Sequence, residues 1–214
     1  TPASGDEVQA AEFDWTRGLD LDGDGLFGEA VHDDLVIEDI TEAEHPIAFT
    51  AELLRASGIA TIDLFGFVSG QVGFVFETKP VDVDLDGNGT LDLDEASLTT
   101  LFLEIDPPPA GQPLFIGVNG IGFQITGGTL AIAILKPKVA AAGQPADPRS
   151  WTAISSRIGG AGLVGIDALT LTAQTLTLEI NQSSGGATPP AALNWATALR
   201  FADTGAFGGA ANAL

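Results

Sequence analysis

Phe115-Ile116-Gly117-Val118-Asn119-Gly120-Ile121-Gly122-Phe123-Gln124-Ile125 is the stretch that decides the fold. Asn-Gly between two apolar runs is the strongest short-range hairpin signal, because a tight turn with the twist of the flanking strands needs positive φ at both central residues. A two-residue turn at Asn119-Gly120 sets Val118 opposite Ile121 and Ile116 opposite Phe123, with all four on one face. A slip of one residue would turn that apolar set to the other side.

The same reasoning extends to three further turns. Thr126-Gly127-Gly128-Thr129 would set Ile125 opposite Leu130 and Phe123 opposite Ile132. Ala173-Gln174-Thr175-Leu176 would pair Leu171 with Leu178 and Leu169 with Ile180. Ser69-Gly70-Gln71-Val72 would pair Phe67 with Phe74 and Phe65 with Phe76. The intervening positions, among them Gly122, Gln124, Ala131, Ala133, Thr170, Thr172 and Thr177, are small or hydroxylated, as on a half-exposed strand face. The expected fold is all-β, of mostly antiparallel meander sheets arranged like a sandwich, with a β-solenoid as the alternative. One or two short helices are expected beside it: Ala48–Ser57, stopped by Gly58, and a turn or two over Glu95–Leu101. Residues 106–113, 140–150 and 181–190 read as loops, rich in Pro, Gly or small residues.

Asp84-Leu85-Asp86-Gly87-Asn88-Gly89-Thr90-Leu91-Asp92-Leu93-Asp94-Glu95 has the spacing of a twelve-residue calcium loop. Asp84, Asp86, Asn88 and Asp92 stand at positions 1, 3, 5 and 9, Thr90 offers its carbonyl at position 7, and Glu95 stands at position 12. Gly89 permits the sharp turn, and Leu91 is expected to anchor the loop to the core. A hard cation takes six to eight oxygens, and this spacing wraps them round one point. Asp20-Leu21-Asp22-Gly23-Asp24-Gly25 repeats the opening of that pattern. Position 12 there is Val31, so Glu29, or Asp33 from further along, would have to complete the set around Asp20, Asp22 and Asp24. His32, beside Asp33 and Asp34, reads as a surface residue.

The chain of 214 residues carries 29 acidic and 8 basic side chains, a formal charge of −21, which opposes nucleic acid and anionic membrane surfaces as partners. Its 45% hydrophobic content is that of a folded core, not an acidic tail. There is no Cys, so disulfides and thiolate metal sites are excluded. No apolar run approaches the ~18 residues of a membrane-spanning helix. Thr1-Pro2-Ala3-Ser4-Gly5 does not read as a signal peptide, and the opening is that expected of a mature product or an excised fragment.

The two ends resemble each other. Ala11-Glu12-Phe13-Asp14-Trp15 aligns with Ala191-Ala192-Leu193-Asn194-Trp195, and Leu19, Gly25, Phe27, Gly28 and Ala30 meet Leu199, Gly205, Phe207, Gly208 and Ala210 at the same offset of 180 residues. The pattern is that of one full period of a tandem repeat and the start of the next. Arg200, Ala202 and Thr204 replace the three aspartates of the first copy, so the second has lost the ion spacing. The expected organisation is an acidic segment at 1–47, a β-rich module at 48–190 and the start of a next repeat at 191–214.

Leu53-Leu54-Arg55-Ala56-Ser57-Gly58, Phe65-Gly66-Phe67-Val68-Ser69-Gly70, Phe115–Gly120, Ser150-Trp151-Thr152-Ala153 and Val164–Leu171 resemble a repeat module of very large secreted bacterial surface proteins of adhesin-like character. The resemblance covers about residues 48–181. It implies an extracellular or cell-surface location, a structural or adhesive role and no catalytic residues. The EF-hand-like and dockerin-like acidic loops look like insertions in that module.

Three functions follow for comparison. The first is a calcium-stabilised structural or adhesive repeat, with copies of itself or neighbouring repeats as partners and end-to-end assembly into filaments or arrays. The second is a module binding surface glycans or another polymer through Trp15, Trp151 or Trp195, although packing is the more ordinary role of such residues. The third, an enzyme, has little support: the acids cluster in turns with metal spacing, and His32 and His45 are the only histidines.

Overall fold

A computed structural model describes residues 13–29, 33–105, 112–186 and 188–200. The chain divides into two compact units, Thr1–Leu53 and Leu54–Leu214.

In the first unit, β1 (Val36–Glu38) and β2 (Glu44–Pro46) form an antiparallel hairpin with Ile37 opposite His45. Asp39 closes its turn, its Oδ1 accepting from Thr41 Oγ1 (2.7 Å), Thr41 N (2.7 Å) and Ala43 N (3.1 Å). The Thr41 hydroxyl and backbone N–H, with His45, hold the Asp39 carboxyl down to about 2.

The second unit is one antiparallel sheet built from β3 (Leu54–Leu64), β4 (Val68–Val83), β5 (Leu93–Ile105), β6 (Leu114–Val118), β7 (Ile121–Lys136), β8 (Ser150–Val164), β9 (Thr172–Ala173), β10 (Leu176–Ser184) and β11 (Leu199–Arg200). Nine strands fill six positions across it. β5 and β6 both lie between β4 and β7, while β9 and β10 share the outer side of β8, and β3 and β11 share the outer side of β4. The meander pairs strands antiparallel throughout, which is not the pairing of a β-solenoid.

The two faces differ in chemistry. One cross-strand row reads Ala56, Phe76, Leu101, Ile132, Ile154, Ile180; the next, pointing the other way, reads Arg55, Glu77, Thr100, Ala133, Ala153, Asn181. The core lies at one end of this second face. There Val81, Ala96, Leu98, Leu135 and Trp151 are covered by Leu193, Ala198 and Leu199 from the C-terminal segment. Trp151 Nε1 donates to Ala191 O (3.0 Å) and Asn181 Nδ2 to Leu193 O (2.9 Å), so the polar groups carried into this core are bonded. Full burial of Leu193 and of Leu199 stabilises the unit by about 1.5–3 kcal/mol each.

The Asn119-Gly120 hairpin has the register expected of it, Val118 opposite Ile121 and Ile116 opposite Phe123. The other three expected turns do not form. β4 runs straight through Ser69–Val72, and its turn to β3 lies at Phe65-Gly66-Phe67, with Leu64 opposite Val68. β7 runs through Gly127-Gly128, where the register against β8 shifts; glycines inside a strand here mark a bulge. Gln174-Thr175 joins β9 to β10 along the same side of β8 and makes no hairpin.

The two expected helices are also absent, and the described residues contain no helix. Residues 54–57 begin β3, because Leu54, Ala56, Ala60, Ile62 and Leu64 fall on the apolar face of the sheet at period two. Residues 95–101 belong to β5, whose ladders with β4 and β7 outweigh a local helical preference. Asn181–Ser184, read as loop, completes β10.

Candidate metal centre

The Asp84–Glu95 loop is the connection between β4 and β5. Asp84 stands one residue past β4 and is only 3% exposed, its N–H donating to Ala198 O (2.9 Å). Its carboxylate organises the turn: Oδ1 accepts from Gly87 N (2.8 Å) and Asn88 N (3.2 Å), and Oδ2 from Gly89 N (2.7 Å). Gly87 and Gly89 turn their N–H groups inward at φ of 76° and 84°, a conformation that costs glycine little. Burial works to raise the pKa of Asp84, but the N–H donors of Gly89, Gly87 and Asn88 outweigh it and hold the group below its ordinary value.

The remaining oxygens close around this turn. Asp92 Oδ2 accepts from Leu85 N (2.7 Å), and Asp86 Oδ2 accepts from Asn88 Nδ2 (2.9 Å). Asn88 Oδ1 accepts from Thr90 N (2.8 Å) and from the Thr90 hydroxyl. One carboxylate oxygen from each of Asp84, Asp86 and Asp92 lies within 4.8 Å of the others. That spacing suits a divalent cation with oxygen ligands.

Glu95 stands apart from this group. Val81 opposes Ala96 while Val83 opposes Leu93, so Asp94 and Glu95 together face Asp82 in a bulge. Glu95 adopts φ of 49° there, and its carboxylate is ion-paired with Lys138 from the β7–β8 connection. Leu91 does not anchor the loop, being 44% exposed; Leu93 and Leu85 pack on the core instead.

The loop of the first unit reaches the same arrangement by another route. Asp20 Oδ1 accepts from Gly23 N (2.7 Å) and Oδ2 from Gly25 N (3.0 Å), the pattern of Asp84 with Gly87 and Gly89. Asp33, buried at 2% exposure, supplies the closing contact: its Oδ1 accepts from Leu21 N (2.8 Å), as Asp92 does from Leu85 N. Carboxylate oxygens of Asp20, Asp22 and Asp33 lie within 4.8 Å of one another, as do those of Asp22, Asp24 and Glu29. Val31 and His32 lie outside the described residues.

The sequence match between the chain ends has a structural counterpart. Asp14 Oδ1 accepts from Thr16 N (2.9 Å), and its carbonyl accepts from Arg17 N (3.2 Å) and Gly18 N (2.8 Å). Asn194 does the same 180 residues on, through Ala196 N (3.3 Å), Thr197 N (3.1 Å) and Ala198 N (3.0 Å). The later turn delivers Ala198 to Asp84 and Leu199 to Val83.

The tryptophans have different surroundings. Trp151 is in the core, with Arg149 stacked 5.6 Å from its ring centroid. Trp195 donates to Asn181 Oδ1 (3.1 Å) and borders an open groove of about 750 Å3 on the small-residue face, beside Arg55, Glu77, Lys79, Phe102 and Ser155. No protein family, no curated protein and no solved structure was found to match this chain.

Proposed function

We propose that this chain is a calcium-stabilised structural or adhesive repeat domain of the cell surface or extracellular space, one that joins copies of itself or neighbouring repeats end to end. One observation carries the reading: two loops that open alike, Asp20–Gly25 and Asp84–Gly89, and then diverge in sequence each close a cluster of three carboxylates. Asp33 replaces Asp92 from five positions further along its loop. The shared opening accounts for the turn itself; a closing carboxylate brought from a different position in each loop is what a shared ligand accounts for. The acidic composition, the absence of Cys and the matching turns at a 180-residue offset accord with a domain of that kind.

Within this reading Ca2+ is bound by Asp84, Asp86 and Asp92, with Asn88 and the Thr90 carbonyl completing the shell, and by Asp20, Asp22 and Asp33. Its role is to neutralise carboxylates that otherwise repel across a few ångströms and to lock the β4–β5 connection over the C-terminal segment. The test is thermal unfolding of the chelated chain with and without millimolar Ca2+, with light scattering recorded in the same sample. A raised midpoint that Asp84→Asn abolishes supports the reading, and scattering that rises with Ca2+ supports assembly. An unchanged midpoint removes calcium from the account.

The groove beside Trp195 favours a second reading, a glycan- or polymer-binding module. An aromatic face beside charged and hydroxyl groups is the chemistry that receives a sugar ring. Tryptophan fluorescence titrated with soluble polysaccharides tests it, and a response lost in Trp195→Phe would place the ligand in this groove.

A further inference from the structure

We infer that Phe13–Leu19 is a docking segment, and that it seats on the sheet end of a second copy of this chain, at the place that Leu193–Leu199 fills in its own. The inference rests on the end-to-end reading above and gives it a contact. Leu193–Leu199 shows what such a segment does. Leu193, Ala198 and Leu199 are 1–2% exposed, in one core with Val83, Leu98, Leu135 and Trp151. Asn181 Nδ2 donates to Leu193 O, Asp84 N donates to Ala198 O, and Leu199 pairs with Val83. Those bonds go to the backbone of the segment, so the sheet end reads its shape more than its side chains. The indole of Trp195 adds one donor, to Asn181 Oδ1.

Phe13–Leu19 has that shape. Asp14 Oδ1 accepts from Thr16 N as Asn194 Oδ1 does from Ala196 N. The Asp14 carbonyl accepts from Arg17 N and Gly18 N as that of Asn194 does from Thr197 N and Ala198 N. Phe13, Trp15 and Leu19 stand where the later copy has Leu193, Trp195 and Leu199. Its own unit holds the segment through Trp15 N to Phe49 O and Gly28 N to Leu19 O, whereas the carbonyls that match Leu193 O and Ala198 O are those of Phe13 and Gly18. Burial sets the two copies apart: Phe13 and Trp15, packed edge to face, are 48% and 38% exposed, where Leu193 is 1%. This chain's own sheet end is filled, so the partner is the same sheet end of another copy, and the contact is head to tail. Arg200 decides which segment wins. It is ion-paired with Asp82 where β11 meets β4, and the matching residue of the first segment, Asp20, sets two carboxylates together there. The tethered segment also has the advantage of its effective concentration. The chain therefore closes its own site, and a second copy enters where that closure is weakened.

Sedimentation velocity of the full chain in chelator tests the contact without calling on the ion. Arg200→Asp turns the pair with Asp82 into a repulsion and should lower the dissociation constant for self-association by roughly tenfold or more. Phe13→Asp added to it should restore the wild-type value, because it carries a charge into the pocket of Leu193. Should Arg200→Asp lose the wild-type circular dichroism, a labelled peptide of residues 11–20 titrated into the wild-type chain decides. It should bind, and an unlabelled peptide of residues 191–200 should displace it, while a peptide of residues 11–20 with Phe13→Asp should not. A folded Arg200→Asp chain that associates no more than the wild type, association that Phe13→Asp leaves in place, or a peptide that does not bind would each overturn the inference. Ca2+-dependent scattering that survives Phe13→Asp in the full chain would keep end-to-end assembly and overturn this contact alone.

Discussion

Glu95, the twelfth residue of the acidic loop, is ion-paired with Lys138, forty-three positions along the chain on the β7–β8 connection. A bulge opposite Asp82 turns the glutamate toward that cation and away from the cluster of Asp84, Asp86 and Asp92. Lysine thus occupies the carboxylate that a calcium loop ordinarily uses for two of its oxygens.

Lys138→Ala should therefore tighten Ca2+ binding. The ion must compete with the ammonium group for Glu95, and a surface pair of this kind is worth about 0.2–1 kcal/mol. Isothermal titration should show a gain of up to about fivefold, and a variant that binds Ca2+ more weakly would mean that Lys138 supports the loop.

Asp84 should matter more than Glu95. Asp84→Asn weakens the acceptor of three backbone N–H groups and removes a clustered charge, whereas Glu95→Gln disturbs an exposed pair. With a dissociation constant of ~10⁻⁴–10⁻³ M, 10 mM Ca2+ should stabilise the wild type by about 1.4–2.7 kcal/mol, a rise of several degrees in midpoint. Differential scanning calorimetry of the two variants should show that rise lost in Asp84→Asn and largely kept in Glu95→Gln.

Acid should destabilise the chelated protein through the same residue. The folded pKa of Asp84 lies below its ordinary value, so its contribution is present above about pH 3.9 and is lost as pH falls through the depressed folded pKa. Denaturant unfolding followed from pH 5 downward should show the loss beginning near that pH, with a shallower slope for Asp84→Asn.

The C-terminal segment should behave as part of the core. Leu193→Ala or Leu199→Ala should each cost about 2–5 kcal/mol, because each side chain is about 1% exposed among Trp151, Leu98 and Leu135. A chain ending at Pro190 should unfold at markedly lower denaturant than the full chain. An equal midpoint would show that the sheet needs no cover at this end.

Much of this was legible in the sequence. Spacing of Asp, Asn and Gly placed both acidic loops, because an Asx side chain bonds backbone N–H groups two to five residues away and needs nothing distant. Asn119-Gly120 fixed one hairpin register for the same reason, and period-two apolar patterning indicated an all-β chain. The offset of 180 residues pointed to the paired turns at Asp14 and Asn194.

Tertiary structure decided what local chemistry leaves open. Residues 54–57 and 95–101 became strands because ladders with β4, β5 and β7 satisfy their backbone groups, a gain that depends on partners far along the chain. Gly70 and Gly127 carry strands onward instead of reversing them, since a glycine admits either course and the neighbouring strand selects one. Asp33 joins Asp20, and Glu95 leaves Asp84, through contacts that no short spacing encodes. The sequence by itself determined where this chain turns and gathers its carboxylates, because those bonds are local. Strand order and the covered end of the sheet were set only when distant strands competed for the same edges.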